Sequence, residues 1–290
     1  MKYIYKIYIL FFILLLTTKT EFVYACIKAD DASRITVAGG SITEIIYMLG
    51  QEERLVAVDI TSNFPNEAKE LPSIGYVRAL SAEGILSISP TLILGENDMG
   101  PPAVIEQLKR VGVQIKIIPE ENTSDGIINK VECIAEILGV DQKIKKKIFK
   151  NLADDANTLK DLASNNKDIK VMFILGMESG SPTVGGGGTS ANGLISMTGG
   201  VNVMSSFEGW KPVSTEAIIE AKPDFILITE RGLSSFKTIE NLGKHPSLAL
   251  TPASKNNNII VMDGMAMLGF GPRTIKSAKD IAEEFARINE

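Results

Sequence analysis

Histidine is nearly missing from this chain: His245 stands alone in 290 residues, beside two cysteines and one tryptophan. A Ser-His-Asp triad needs a well-placed histidine, and His245 precedes Pro246 in a segment rich in turn residues. One histidine and two cysteines also fall short of the nitrogen and sulfur ligands that a zinc site takes. An excess of positive charge is lacking too. Lys and Arg number 30 against 35 Asp and Glu, a net −5, which argues against nucleic acid or an anionic membrane surface as the main partner. No paired carboxylates stand out for acid–base work. The glycine run 185–188 continues as Thr189-Ser190, without the Gly-Lys-Ser/Thr ending of a phosphate loop, and its spacing misses the dinucleotide fingerprint. It reads instead as a mobile loop whose backbone can approach a ligand closely. These absences leave binding as a stronger class than catalysis.

One long apolar run is present, Ile7 to Leu16, preceded by Lys2 and Lys6. It is short of the about 20 residues that cross a bilayer and suits a secretory leader over residues 1–25. Val23-Tyr24-Ala25 offers a cleavage site before Cys26. The same cysteine is a candidate for lipid anchoring, although tyrosine fits a lipobox poorly, so plain export is the preferred reading. Cleavage removes four of six tyrosines and leaves Tyr47 and Tyr76. Cys133 lies in a helical pattern, where a buried free thiol is expected. A Cys26–Cys133 bridge is the open alternative in an oxidising compartment.

Strand and helix patterns alternate from Arg34 to Leu138, as in parallel sheets built from βαβ units. Ser41 and Glu44 suit a capping box for a helix from Ile42 to Leu49. A lysine-rich helical pattern then runs from Asp141 to Leu162. Its apolar stripe is Ile144, Ile148, Leu152, Ala156 and Leu159, and Lys143, Lys145, Lys146 and Lys147 form a solvated face. A strand resumes at Lys170. The expected organisation is α/β with central parallel sheets: an N-terminal lobe over 26–140, a connecting helix over 141–165 and a C-terminal lobe over 166–290.

The lobes echo each other. Ser81-Ala82-Glu83 precedes Pro90-Thr91-Leu92-Ile93-Leu94, and Ser214-Thr215-Glu216 precedes Pro223-Asp224-Phe225-Ile226-Leu227, every matched residue offset by 133. Each serine suits a helix N-cap, and each glutamate a first turn, where negative charge is favoured. First-turn stabilisation explains either glutamate alone; their repetition adds a pair of docking charges as a second reading.

Gly75-Tyr76-Val77-Arg78 places a phenol and a guanidinium two residues apart on a glycine-led loop. A half-buried loop tyrosine beside a solvated charge is the plainer reading of these two residues alone. The chemical one is that Arg78 stabilises a Tyr76 phenolate, a known ligand of haem iron. Arg231 follows the strand Phe225 to Ile228, where α/β folds bind ligands. Arg273, near the start of the last helix, suits a structural role.

The segments Gly75 to Gly84, Gly188-Thr189-Ser190-Ala191, Gly199-Gly200-Val201-Asn202 and Leu268-Gly269-Phe270-Gly271-Pro272-Arg273 resemble the periplasmic haem-binding proteins of ABC importers, over nearly all of the mature chain. The resemblance implies two Rossmann-like lobes joined by one long helix, with ferric haem b as the carried ligand in the cleft. It implies Tyr76 as the axial iron ligand, Arg78 as its near partner, and Arg231 as a second-lobe arginine at the haem. Glu83 and Glu216 look like the docking charges for the permease, which works with its ATPase. Some members offer a second-lobe histidine or bind two haems. Here Gly176-Met177-Glu178-Ser179-Gly180 lacks histidine, so a single haem is expected, with Met177 as a weak candidate sixth ligand. The expected protein is thus a periplasmic monomer for iron acquisition, not an enzyme. The alternative is a ferric-siderophore or corrinoid (vitamin B12) binder of the same architecture, for which Trp210 is a candidate contact.

Overall fold

The computed structural model describes residues 26–178 and 180–287. The expected leader, residues 1–25, lies outside them. Two compact units form, residues 26–120 with 129–145 and residues 121–128 with 146–287.

The first unit runs β1 (Ile35–Ala38), α1 (Gly40–Met48), β2 (Leu55–Val58), α2 (Ala82–Ser87), β3 (Leu92–Gly95), α3 (Pro102–Arg110) and β4 (Gln114–Ile117). Helices α4 (Ser124–Ile137) and α5 (Gln142–Ala163) each contribute residues to both units. Strands β1 and β3 are buried along their whole length, as their unbroken apolar sequence requires of strands covered on both faces. All pairings are parallel, in the order β2-β1-β3-β4. The chain therefore leaves β1 in one direction to reach β2 and returns past it to reach β3. The crevice at such a reversal, beyond the strands' carboxyl ends, is where open α/β sheets bind ligands.

The second unit contains β5 (Lys170–Glu178), β6 (Ser181–Gly185), α6 (Ser190–Met197), β7 (Val201–Asn202), β8 (Trp210–Pro212), α7 (Thr215–Ala221), β9 (Phe225–Thr229) and α8 (Glu230–Leu233). Then come α9 (Ile239–Gly243), α10 (Pro252–Lys255), β10 (Ile259–Met262), α11 (Gly264–Leu268) and α12 (Pro272–Ala286). Its sheet has the order β10-β9-β5-β6-β8, with β7 beside the start of β5. Here the expectation of a parallel sheet needs correction. β5 runs on past Leu175 and turns back as β6, with Glu178 opposite Ser181. A tight hairpin joins only antiparallel strands, so β6 and β8 make an antiparallel half beside the parallel β5, β9 and β10.

Four local expectations are also corrected. Helix α1 starts at Gly40, so Ser41 is not its cap. The hydroxyl instead donates to Glu96 Oε1 at 2.8 Å and accepts from Lys130 Nζ at 2.7 Å. Lys145 is buried against Glu136, whereas Ile144 is 40% exposed, so the first turn of α5 is rotated from the expected stripe. Leu152 and Leu159 further along are buried as their spacing predicts. Cys133 is buried but not free, because it bonds Cys26. A sulfur in that bond carries no lipid thioether, so in this state Cys26 is not an anchor. Finally, the glycine run is packed rather than open. A Cβ on Gly186 would come within 2.3 Å of the Phe207 carbonyl oxygen, and one on Gly185 within 2.6 Å of Ala191. Its lack of side chains lets β6 and the 207–210 segment close on one another.

Candidate ligand-binding site

The Tyr76 loop is built by alternation. Ile74, Val77 and Leu80 are buried in the core of the first unit with Ala82, Ile85 and Ile93, while Tyr76 and Arg78 point outward. Backbone bonds fix the loop at the strand ends. Ile74 N–H donates to Val58 O, and Ile60 N–H to Gly75 O, both at 2.9 Å. Gly75 has φ +88°, a region in which a side chain would be strained. Tyr76 O accepts from Ala79 N–H at 2.7 Å, closing a tight turn around the phenol and the guanidinium.

Arg78 Nη1 donates to Tyr76 Oη at 3.0 Å, and its Cζ lies 5.9 Å from the ring centroid. The other edge of the guanidinium is taken by a residue that the sequence reading missed. Arg78 Nε donates to Asp98 Oδ2 at 2.6 Å, and Nη2 pairs with the same oxygen. That hydrogen bond is the chief reason the Arg78 guanidinium is held even more firmly protonated than usual, against a smaller opposing effect of burial. Two apolar side chains of the segment after β2 are exposed: Ile60, at 65%, whose N–H is the one bonded to Gly75 O, and Phe64. Sequence offered one signal for them, apolar residues in a polar turn directly after β2.

Beneath the strand ends lies a second polar group. Asp59, at the end of β2 and buried, accepts from Gly39 N–H and Thr61 N–H at 3.0 Å each and from the Ser62 hydroxyl at 3.1 Å. Glu96, just past β3, is linked through Ser41 to the buried ammonium of Lys130, which also pairs with Glu120. Burial pushes the Glu96 carboxyl up to about 7 despite the counter-pull of Lys130. Strand-end groups of the first unit are therefore bonded to one another before any ligand arrives.

In the second unit Arg231 sits in the first turn of α8, directly after β9. Thr229 caps that helix by accepting from Gly232 N–H at 3.0 Å, and Gly232 lies close against the Leu175 carbonyl. Arg231 is exposed, and its guanidinium has no hydrogen-bonded or ionic partner among the described residues. Met177 packs against the second unit's core, and Trp210 stands edge-on to Phe173 at 5.9 Å, so both serve packing. Arg273 pairs with Asp263 at 3.0 Å, tying the start of α12 to the cap of α11. His245 is a turn residue whose Nδ1 accepts from Ser247 N–H at 3.3 Å.

Glu83 and Glu216 occupy equivalent places. Each is exposed in the first turn of a helix whose serine N-cap accepts a backbone N–H at 3.3 Å, Ser81 from Gly84 and Ser214 from Ala217. The Glu216 carboxyl is held below its usual range by its own backbone N–H and by the Ser214 hydroxyl, so it is ionised at neutral pH.

Residues 35–266 match the model of the periplasmic binding protein family, which is most of the chain. The chain belongs to that family. Among solved structures it is similar to the periplasmic heme-binding protein RhuT from Roseiflexus sp. RS-1, with 34% identity, 90% of this chain and 100% of that one covered, and a TM-score of 0.82. The periplasmic heme-binding protein HutB of Vibrio cholerae aligns with 35% identity, 87% and 98% coverage, and a TM-score of 0.77. Among curated proteins it is 24% identical over 260 residues to the vitamin B12-binding protein of Vibrio parahaemolyticus, covering 89% of this chain and 91% of that protein. This member of the family is accordingly a substrate-binding protein of an ABC-type import system, a ligand carrier rather than an enzyme. It works outside the cytoplasm with a membrane permease and ATPase.

Proposed function

We propose that the protein captures ferric haem b in the periplasm, to which its leader exports it, and delivers it as a monomer to the permease for iron acquisition. Tyr76 ligates the iron as phenolate, and Arg78 donates a hydrogen bond to the ligating oxygen. Arg231 supplies a second positive group to the bound haem. The observation that carries the reading is the exposed Tyr76 phenol with Arg78 Nη1 already 3.0 Å from its oxygen. An anionic phenol oxygen is a strong donor to ferric iron, and Arg78 is placed to hydrogen-bond that oxygen. Exposed Ile60 and Phe64 offer the apolar contact that a porphyrin face needs.

Glu83 and Glu216 dock the loaded protein on the permease. Single rim charges contribute little to affinity, but two fixed carboxylates on equivalent helix starts set orientation and encounter rate.

A corrinoid is the second reading, supported by the B12-binding relatives. It is disfavoured because RhuT and HutB align at 34% and 35% identity, against 24% and 26% for these two B12-binding proteins, and because the phenol–guanidinium pair suits an iron that lacks its own axial base. Parallel titrations with hemin and cyanocobalamin decide between them. Stoichiometric hemin binding with weak or no cyanocobalamin binding is expected; the reverse order would replace haem by the corrinoid.

A further inference from the structure

We infer that Asp98 is a positioning residue for the ligand pair, holding Arg78 so that its Nη1 is aimed at the Tyr76 oxygen. This rests on the proposed role of Tyr76 as the iron ligand. The guanidinium is divided between two partners: Nε and Nη2 face Asp98 Oδ2, and Nη1 alone faces the phenol. An arginine on an exposed loop has a long stem with many rotamers and does not stay aimed at one oxygen without help. A charge-assisted pair on its far edge removes that freedom.

Asp98 is itself fixed. Its loop is bonded to the Arg78 loop twice, Gly100 N–H to Val77 O and Leu80 N–H to Gly100 O, both at 2.9 Å. Met99 anchors the same turn from below. It is buried against Gly95, where an added Cβ would lie 2.3 Å from the Met99 sulfur, and its N–H donates to Glu96 O at 3.0 Å. The turn that follows β3 thus presents Asp98 outward at a set height beside the turn that presents Arg78. Because Asp98 also offsets one positive charge, the loop pair offers haem an oriented hydrogen-bond donor rather than a free cation. A loose cation beside the phenol would instead be open to any anion.

The test has two arms. In the ligand-free protein, the Arg78 Nε–H proton should give a slowly exchanging resonance, assigned by its loss in Arg78→Ala and absent again in Asp98→Asn. In the hemin complex, Asp98→Asn should speed transfer of haem to an acceptor apoprotein by about two- to fivefold, the range of an exposed ion pair. It should also move the phenolate-to-iron absorption band in the same direction as Arg78→Ala. The double variant should add nothing beyond Arg78→Ala, because both changes act through one guanidinium. An Nε–H resonance that survives Asp98→Asn, or release rates that multiply in the double variant, would overturn the inference. Should the wild-type complex show no phenolate band, the haem reading falls, while the Nε–H resonance still decides whether Asp98 holds Arg78.

Discussion

The strand ends of the two units are bonded in opposite ways. In the first, the groups around Tyr76 are already engaged: Tyr76 with Arg78, Arg78 with Asp98, and Glu96 through Ser41 with Lys130 and Glu120. In the second, Arg231 stands at the equivalent kind of position, past the end of β9, with no partner among the described residues. A pre-bonded group has lost its freedom before binding, so it contributes geometry; an unbonded arginine is ordered only when the ligand comes and contributes charge with tolerance. In the proposed function, Tyr76 and Arg78 therefore contribute set geometry, and Arg231 contributes charge that adjusts to the ligand.

The features that the units share should give the largest effect. Reversing both equivalent carboxylates, Glu83→Lys with Glu216→Lys, should abolish permease-dependent haem uptake by cells while hemin binding in solution is unchanged. Uptake that survives the double reversal would return both residues to plain first-turn helix stabilisers.

A second effect falls on the first unit alone, which carries the bond between Cys26 and Cys133 across 107 residues. Replacing both by serine should remove about 2–5 kcal/mol from its unfolding. Measured by denaturant melts, the loss should appear in the transition of the first unit. An equal loss in both units would show that the bond's influence is not local. Intact mass without reductant should likewise show both sulfurs blocked from alkylation and free of lipid.

Arginine replacement sharpens the contrast directly. Arg78→Ala should change the absorption spectrum of the haem complex and its release rate together. Arg231→Ala should speed release by about two- to fivefold, the scale of an exposed charge, and leave the spectrum alone. A spectral change in the Arg231 variant would place it at the iron and break the division of labour.

The smallest effect concerns the buried pair under the first unit's strands. The Glu96 carboxyl is raised to about 7, above its ordinary value of 4.5, so the folded state holds a proton that the unfolded state has released between those values. Its contribution to stability is present below pH about 4.5 and is lost as pH rises through about 7. Glu96→Gln keeps an acceptor for the Ser41 hydroxyl and cannot ionise. Relative to it, the wild-type melting temperature should fall by roughly 2–4 °C for each kcal/mol lost over that window. A constant difference between the two proteins from pH 5 to 8 would contradict the raised carboxyl.

Legibility in the sequence followed the range of each interaction. Strands β1, β2 and β3 were readable because a short apolar run is a local signal, and so was the Tyr76 loop, where phenol and guanidinium are two residues apart. Asp98 was not, because its separation of 20 positions from Arg78 is closed only when β3 takes its place in the sheet. Ser41 and Lys130 are 89 residues apart, and a serine before an apolar run reads locally as a cap. Lys145 was misread for a similar reason: a lysine in a charged helix reads as solvated until Glu136 is folded against it. The antiparallel half of the second sheet escaped because glycine-rich sequence after Leu175 suggests a loop, whereas the chain there is a hairpin.

The central claim, haem capture through Tyr76, is tested most directly by the absorption spectrum of the ferric haem complex. Wild-type protein and Tyr47→Phe should both show a high-spin phenolate complex, because Tyr47 and Tyr76 are the only tyrosines past residue 25. Tyr76→Phe should lose the phenolate band and retain haem far more weakly. An unchanged spectrum in Tyr76→Phe would contradict the account.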